Sequence, residues 1–426
     1  MVAGLKAAQG RQIDVQEYLV WSTVIAVLMF VPIGRPSFFI GYVVIIFNTV
    51  LLLAFDRLTI HRNHIIAILV LAGFSLFGAS SAGTPLNAPT SQILGISLLS
   101  IYYFCALTTF GPSLNRWMEL YIPGAFAIAI FGLVKWAAGT VVHLGGDPRL
   151  TSIYSEPSYF IYVTLPAASY CTNLFIEKRR YGWETIIFLL SYVLADSILG
   201  FFGLLLIGII IVAPRLKGWQ LLASTAATLG LIAAVYVASE NVRSRADEFA
   251  TAVAKQELSG TGNTTFAFLS NVYVASQSFL VHPLTGVGIG GYATAYDKYI
   301  GSVLGSDSLG NAAQDLINAD FELNRDDAAS MFLRVTAELG LPGIAILLAF
   351  LIACARVRGA PYTTIRNAML PYLIVRMTRM GHYFTVELYF FAGIYLLNYL
   401  SYRNAPIDPA SENNLARPGG LPETPI

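Results

Sequence analysis

The chain has 426 residues, of which 56% are hydrophobic and 12% charged. That is more apolar than a soluble domain and carries about half its charge, so the class is a polytopic membrane protein. A formal net charge of +1 leaves no basic footprint for nucleic acid, and Cys105, Cys171 and Cys354 lie far apart in apolar runs, without the spacing of a disulfide framework or a zinc site.

Apolar runs close to the ~20 residues that cross a bilayer recur along the chain. In order they cover 18–34, 37–55, 65–82, 93–110, 120–138 and 158–176, then 184–213, 219–238, 339–355, 368–377 and 385–401. The first lacks a small-residue cleavage site and reads as a retained span. The run 184–213 is too long for one ordinary span and carries Asp196-Ser197 near its middle, which predicts two short helices joined by a tight turn. The expectation is an all-α protein with about 12 transmembrane helices.

Between the ninth and tenth predicted spans lies a long polar stretch holding eleven of the 25 acidic residues, from Glu240 to Asp327. Helical spacing is visible over Asn241 to Leu258 and over Thr265 to Leu280, with a Ser-Gly-Thr-Gly-Asn turn between them. The expected organisation is helices 1 to 9 over residues 1–238, a large loop over 239–330, helices 10 to 12 over 331–403, and a cytoplasmic tail without fixed structure over 404–426. Lys and Arg in the short loops are segregated: with the N-terminus inside, only Arg35, Arg149, Arg376 and Arg379 fall on the outer side. This places the large loop outside the cytoplasm and both termini within it.

Four constellations carry chemistry. Arg149 precedes Ser155-Glu156-Pro157-Ser158-Tyr159, where an Arg and a Glu at a membrane boundary suit an anionic head group and a proton transfer. The plain alternative is a helix entrance with Pro at its start. His282-Pro283-Leu284-Thr285-Gly286-Val287-Gly288-Ile289-Gly290-Gly291-Tyr292 matches a dinucleotide spacing at Gly286, Gly288 and Gly291 but lacks a βαβ context. Its glycines instead allow close backbone approach to a ligand or a neighbouring helix. Arg325-Asp326-Asp327 leads through Arg334 and Glu338, a helical i,i+4 pair, to Gly340 and Gly343. Arg376, Arg379 and His382 form a cationic cluster suited to a diphosphate, since Arg offers a bidentate fork; anchoring to lipid head groups is the alternative.

The motifs at 155–159, at 282–292 and at 332–343 (Phe-Leu-Arg-Val-Thr-Ala-Glu-Leu-Gly-Leu-Pro-Gly) together resemble the O-antigen ligase and Wzy-type polymerase superfamily. The resemblance implies a bacterial inner-membrane glycosyltransferase with one large periplasmic loop and neither metal nor other cofactor. Its donor is an undecaprenyl-diphosphate-linked oligosaccharide, and a chain-length regulator, export machinery and membrane lipids are its expected partners. Ala329-Ser330 stands where the ligases carry His-Asn, and Ser197-Ile198 where they often carry Ser-Arg, so polymerase is favoured over ligase. A flippase or other transporter, the rival from another class, would carry internal repeats, and none is visible. The expected base is drawn from Glu156, His282, Asp326, Asp327 and His382. Arg149, Arg325, Arg334, Arg376 and Arg379 are the expected diphosphate contacts, with Tyr159 and Tyr292 on the glycan.

Overall fold

The computed structural model describes residues 15–29, 32–33, 38–142, 149–220, 240–255, 263–304, 325–326 and 328–405, with scattered positions between 222 and 237. Fourteen α-helices are defined among these residues: α1 (Val15–Leu28), α2 (Ile40–Ala54), α3 (Arg62–Ala82), α4 (Asn87–Cys105), α5 (Leu114–Val142), α6 (Pro157–Lys178), α7 (Gly182–Leu194), α8 (Ile198–Ile207), α9 (Glu240–Lys255), α10 (Asn263–Val281), α11 (Tyr292–Leu304), α12 (Met331–Ala355), α13 (Tyr362–Arg379) and α14 (Val386–Asn404); π-helical turns extend α4 to Phe110 and α8 to Val212, and a 3-10 turn carries α8 on to Arg215. A two-residue antiparallel pair, Pro32–Ile33 with Phe38–Phe39, joins α1 to α2 and leaves the class all-α.

The expectation of about 12 spans is overturned. Among the described residues five helices are long and apolar enough to cross a membrane: Arg62–Ala82, Asn87–Phe110, Leu114–Thr140, Ile198–Arg215 and Met331–Ala355. Four shorter apolar helices, Val15–Leu28, Ile40–Ala54, Gly182–Leu194 and Thr265–Val281, raise the apolar set to nine. The protein is a multi-pass, largely helical, membrane-associated one. The discrepancy has physical causes. The runs at 158–176, 368–377 and 385–401 do fold as α6, α13 and α14, but these helices carry the polar residues of the interior. Arg366, Arg376 and Arg379 lie on α13, and α14 opens on Glu387 and ends near Arg403. The run 219–238 falls largely outside the described residues.

The break predicted at Asp196-Ser197 is present: Asp196 takes a left-handed φ of 40° and Ser197 is the N-cap of α8. In the polar stretch, α9 and α10 follow the two predicted helices, and α11, which no periodicity announced, follows the glycine-rich run.

The core is built around α6, which is buried along most of its length and packs on α13, α7, α5 and α8. A helix enclosed by other helices can hold polar side chains if neighbours satisfy them. The Thr164 and Tyr192 hydroxyls pair at 3.0 Å, and Asn173 binds Arg215 and Asn367, each at 2.8 Å. Aromatic edges fill the space between α5, α13 and α14, where Trp117 and Phe390 meet at 5.5 Å and Tyr372 and Phe391 at 4.9 Å.

Candidate functional site

The segment before α6 is an irregular strap tied down on several helices. Leu150, fully buried, donates its amide to Leu194 O at 3.1 Å, at the end of α7. Ser152 Oγ donates to Ile128 O at 2.6 Å, Lys135 Nζ to Ser152 O at 2.8 Å, and Tyr154 Oη to Leu28 O at 2.8 Å. The strap therefore holds Arg149 at one end and Glu156 at the other at fixed heights. Glu156 is the N-cap of α6 with extended backbone, Pro157 occupies the first helical position, and the carboxylate accepts from Ser158 Oγ at 2.9 Å instead of capping the helix.

A cavity of ≈ 280 Å³ opens there. Its walls are Arg149, Glu156, Pro157 and Ser158 from the strap and α6, Ser197, Ile198 and Leu199 from the α7–α8 turn, and Arg379 from the end of α13. Two arginines and one glutamate thus line the same cavity. The cavity also lies at the N-terminal ends of α6 and α8, neither of which is closed by a capping side chain. Helix N-termini carry partial positive charge and unsatisfied amides, so all of these features except Glu156 favour an anion. Glu156 adds a proton acceptor within the same space. Of the sequence-derived candidates, the structure brings together Arg149, Glu156 and Arg379.

Arg334 and Arg376 are placed differently. Both are buried, at 2% and 0% exposure, and both hold the turn between α13 and α14. Arg376 donates to Met380 O, to His382 O and, at 2.8 Å, to Thr385 Oγ1. Arg334 donates to Gly381 O at 3.1 Å and lies over the Tyr383 ring at 4.4 Å. Three consecutive carbonyls directly after Arg379 are therefore gripped by buried guanidiniums. Ser330 Oγ adds a bond to Met377 O at 2.8 Å. These two arginines position the backbone that presents Arg379; they do not line the cavity.

The glycine-rich run is a docking loop. Arg334 Nε pairs with Glu338 Oε1 at 3.1 Å, and that same oxygen accepts from the amides of Gly290 at 2.9 Å and Tyr292 at 3.3 Å. The amides of Val287 and Gly288 reach Ala337 O and Glu338 O at 2.9 and 3.0 Å, and Leu341 N reaches Pro283 O at 2.8 Å. Tight apposition explains the composition: a Cβ at Gly286 would strike the Glu338 backbone, and one at Gly340 would lie 2.5 Å from Pro283 O. Gly340 also sits at φ 59°, ψ −149°, a region open essentially to glycine alone. Gly340→Ala is expected to lower stability by at least ~1–3 kcal/mol and to expose 282–291 to protease, read by thermal unfolding and limited proteolysis in detergent. Gly139→Ala, on helix α5 where an added Cβ meets nothing within 4 Å, is the control and should lower neither stability nor protease resistance.

Among the described residues, none of the remaining candidates lines the cavity. His282 follows α10, half-buried, its imidazole held below its ordinary pKa by burial and by Lys298. Its carbonyl accepts from Gly286 N at 2.9 Å. Arg325 forms a two-point pair with Asp297 at 2.7 and 2.5 Å and lies 3.5 Å from Asp326, so its charge is matched at the surface. Asp327 is outside the described residues. His382 sits half-buried in the turn between α13 and α14, and Tyr159 packs half-buried against the core. Tyr292 is fully buried and donates to Asn271 Oδ1 at 2.6 Å, which removes it from any glycan surface. Among the described residues no group of three His, Cys, Asp or Glu side chains is placed to hold a metal ion.

Three further parts complete the surroundings of the cavity: a wall of three residues, a buried carboxylate and an aromatic ring. Ser197, Ile198 and Leu199 form a cavity wall, and the Asp-Ser break in the long apolar run was the signal that marked them. Glu387, fully buried 3.8 Å from Arg376 Nε, is the long-range partner of that arginine. Phe268 lies under Arg379 with 5.9 Å between guanidinium carbon and ring centroid, a pairing without any local sequence signal. No protein-family model matches this chain, and no curated protein matches it significantly in sequence.

Proposed function

We propose that the protein is a polysaccharide polymerase, a glycosyltransferase that joins undecaprenyl-diphosphate-linked oligosaccharide repeat units at the outer face of a bacterial inner membrane. The observation that carries this reading is the single cavity in which Arg149, Arg379 and Glu156 converge. Two arginines and two helix N-termini around one cavity match the charge of a diphosphate, whose leaving-group charge they stabilise as it develops. Glu156 then takes the proton of an acceptor hydroxyl as that oxygen attacks the anomeric carbon. The bond from the anomeric carbon to the diphosphate oxygen breaks, and its electron pair leaves with the lipid diphosphate.

The three motifs behind the superfamily resemblance support the reading through their connections. Glu156, Pro157 and Ser158 of the motif at 155–159 line the cavity. The motifs at 282–292 and 332–343 dock on each other through Glu338, and Arg334 of the latter holds the turn behind Arg379. Reconstitution of the purified protein in vesicles with a defined undecaprenyl-diphosphate-linked repeat tests it. A ladder of lengthened glycan is expected. Transfer of a preformed long glycan to a different acceptor without lengthening would assign the ligase reaction instead, and loss of neither substrate would end the enzymatic reading.

A further inference from the structure

We propose that Phe268, supported by Phe249, is a sugar-ring platform that fixes which way the lipid-linked glycan lies across the anion cavity; this rests on the reading of that cavity as a diphosphate site. Phe268 on α10 is partly exposed and lies directly beneath Arg379, so any anion held by that guanidinium is next to the ring. Phe249 on α9 meets Phe268 at 6.3 Å between centroids, with planes 54° apart, and is 42% exposed. Two rings thus form a ledge beginning at one of the two cavity arginines.

The surroundings decide what occupies the ledge. Phe249 is carried by a helix, Glu240–Lys255, that is rich in acidic and basic residues along its length and so lies outside the hydrocarbon layer. A hydrocarbon chain gains nothing from that setting, whereas a sugar ring lays its C–H face on an aromatic surface and keeps its hydroxyls solvated. Another part of the cavity wall is apolar, made by Ile198 and Leu199 at the start of an apolar helix of membrane-crossing length. The prenyl chain belongs on that side and the glycan on the side of Phe268. The cavity is thereby polarised, with lipid at α8, diphosphate between Arg149 and Arg379, and the first sugar at α10.

Calorimetric binding to the full-length protein in detergent tests this with four probes: inorganic phosphate, glucose 1-phosphate, inorganic pyrophosphate and geranyl diphosphate. The intact protein should bind glucose 1-phosphate more tightly than phosphate by roughly tenfold. Phe268→Ala should bring that ratio close to one, with phosphate and geranyl diphosphate affinities changing by the same factor as each other. Phe268→Trp should keep it, and Phe249→Ala, at an exposed position where misfolding is not at issue, should lose part of it. An unchanged ratio in both alanine variants overturns the platform. So does a selective loss of geranyl diphosphate binding in Phe268→Ala, which would give the ledge to lipid. If Arg149→Ala and Arg379→Ala leave binding of all four probes unaltered, the diphosphate site itself fails, and that result is distinct from a failure of the ledge alone.

Discussion

Arg149→Ala and Arg379→Ala should each lower polymer formation by roughly 10²–10³-fold, the usual consequence of removing one donor that faces charge developing in a transition state. The two side chains are the cations of the cavity, and each comes from a different element, the strap before α6 and the end of α13. Neither is needed to close the helix core. The variants should therefore reach the membrane in normal amount and unfold at the normal temperature while the glycan ladder disappears. Lysine at either place should rescue only in part, because an ammonium keeps the charge but not the planar two-point fork. Glu156→Gln should give a comparable loss through another step: it preserves the size of the side chain and its acceptor oxygen for Ser158 but cannot accept a proton. Arg116→Ala, at a surface pair with Glu119 3.3 Å away, should leave the ladder unchanged, since such exposed pairs contribute about 1 kcal/mol or less. A normal ladder from Arg149→Ala and Arg379→Ala together would remove the cavity from the reaction.

The elements that proved legible are those whose signal is local. A strap with Arg149, an acidic N-cap and Pro157 is written in consecutive residues, and the Asp196-Ser197 break announces the α7–α8 turn by interrupting an apolar run. Glycine density forecast close backbone approach, and the contacts made are with α12, α3 and α4. Hydropathy misjudged the number of spans because it records composition along the chain, whereas α6, α13 and α14 face other helices. The same limitation misassigned two arginines. Arg334, Arg376 and Arg379 are equivalent as sequence, yet two are fully enclosed and one lines the cavity. Only tertiary packing separates them: Arg334 is enclosed by Glu338 and the α13–α14 turn, and Arg376 by that turn, Glu387 of α14 and Tyr162 of α6. Phe268 and Arg379 lie more than a hundred residues apart in sequence, and no periodicity could have joined them.

The largest effect on folding should come from breaking the Arg334–Glu338 pair on one side only. Both side chains are buried, at 2% and 0% exposure. Removing one partner of a buried ion pair strands the other charge without water and typically costs about 3–5 kcal/mol. Arg334→Met should therefore destabilise strongly and, because Gly381 O and the Tyr383 ring lose their partner, loosen the turn that presents Arg379. Glu338→Gln should cost less: its amide oxygen still accepts from Gly290 and Tyr292, whose amides would otherwise be orphaned. The double variant Arg334→Met/Glu338→Gln holds no buried charge at this position and keeps the loop's acceptor. It should regain most of the stability lost by Arg334→Met, since neutral, well-packed replacements of buried pairs are often tolerated. Yet it should not regain anion binding at the cavity, because Gly381 O remains ungripped and Arg379 is no longer held in place. Thermal unfolding and pyrophosphate affinity measured on the same three variants separate the two roles. Recovery of both together would mean that Arg334 only stabilises the fold. Recovery of stability alone makes it the residue through which the docked glycine loop, Glu338 and the α13–α14 turn set the position of the cavity's second arginine.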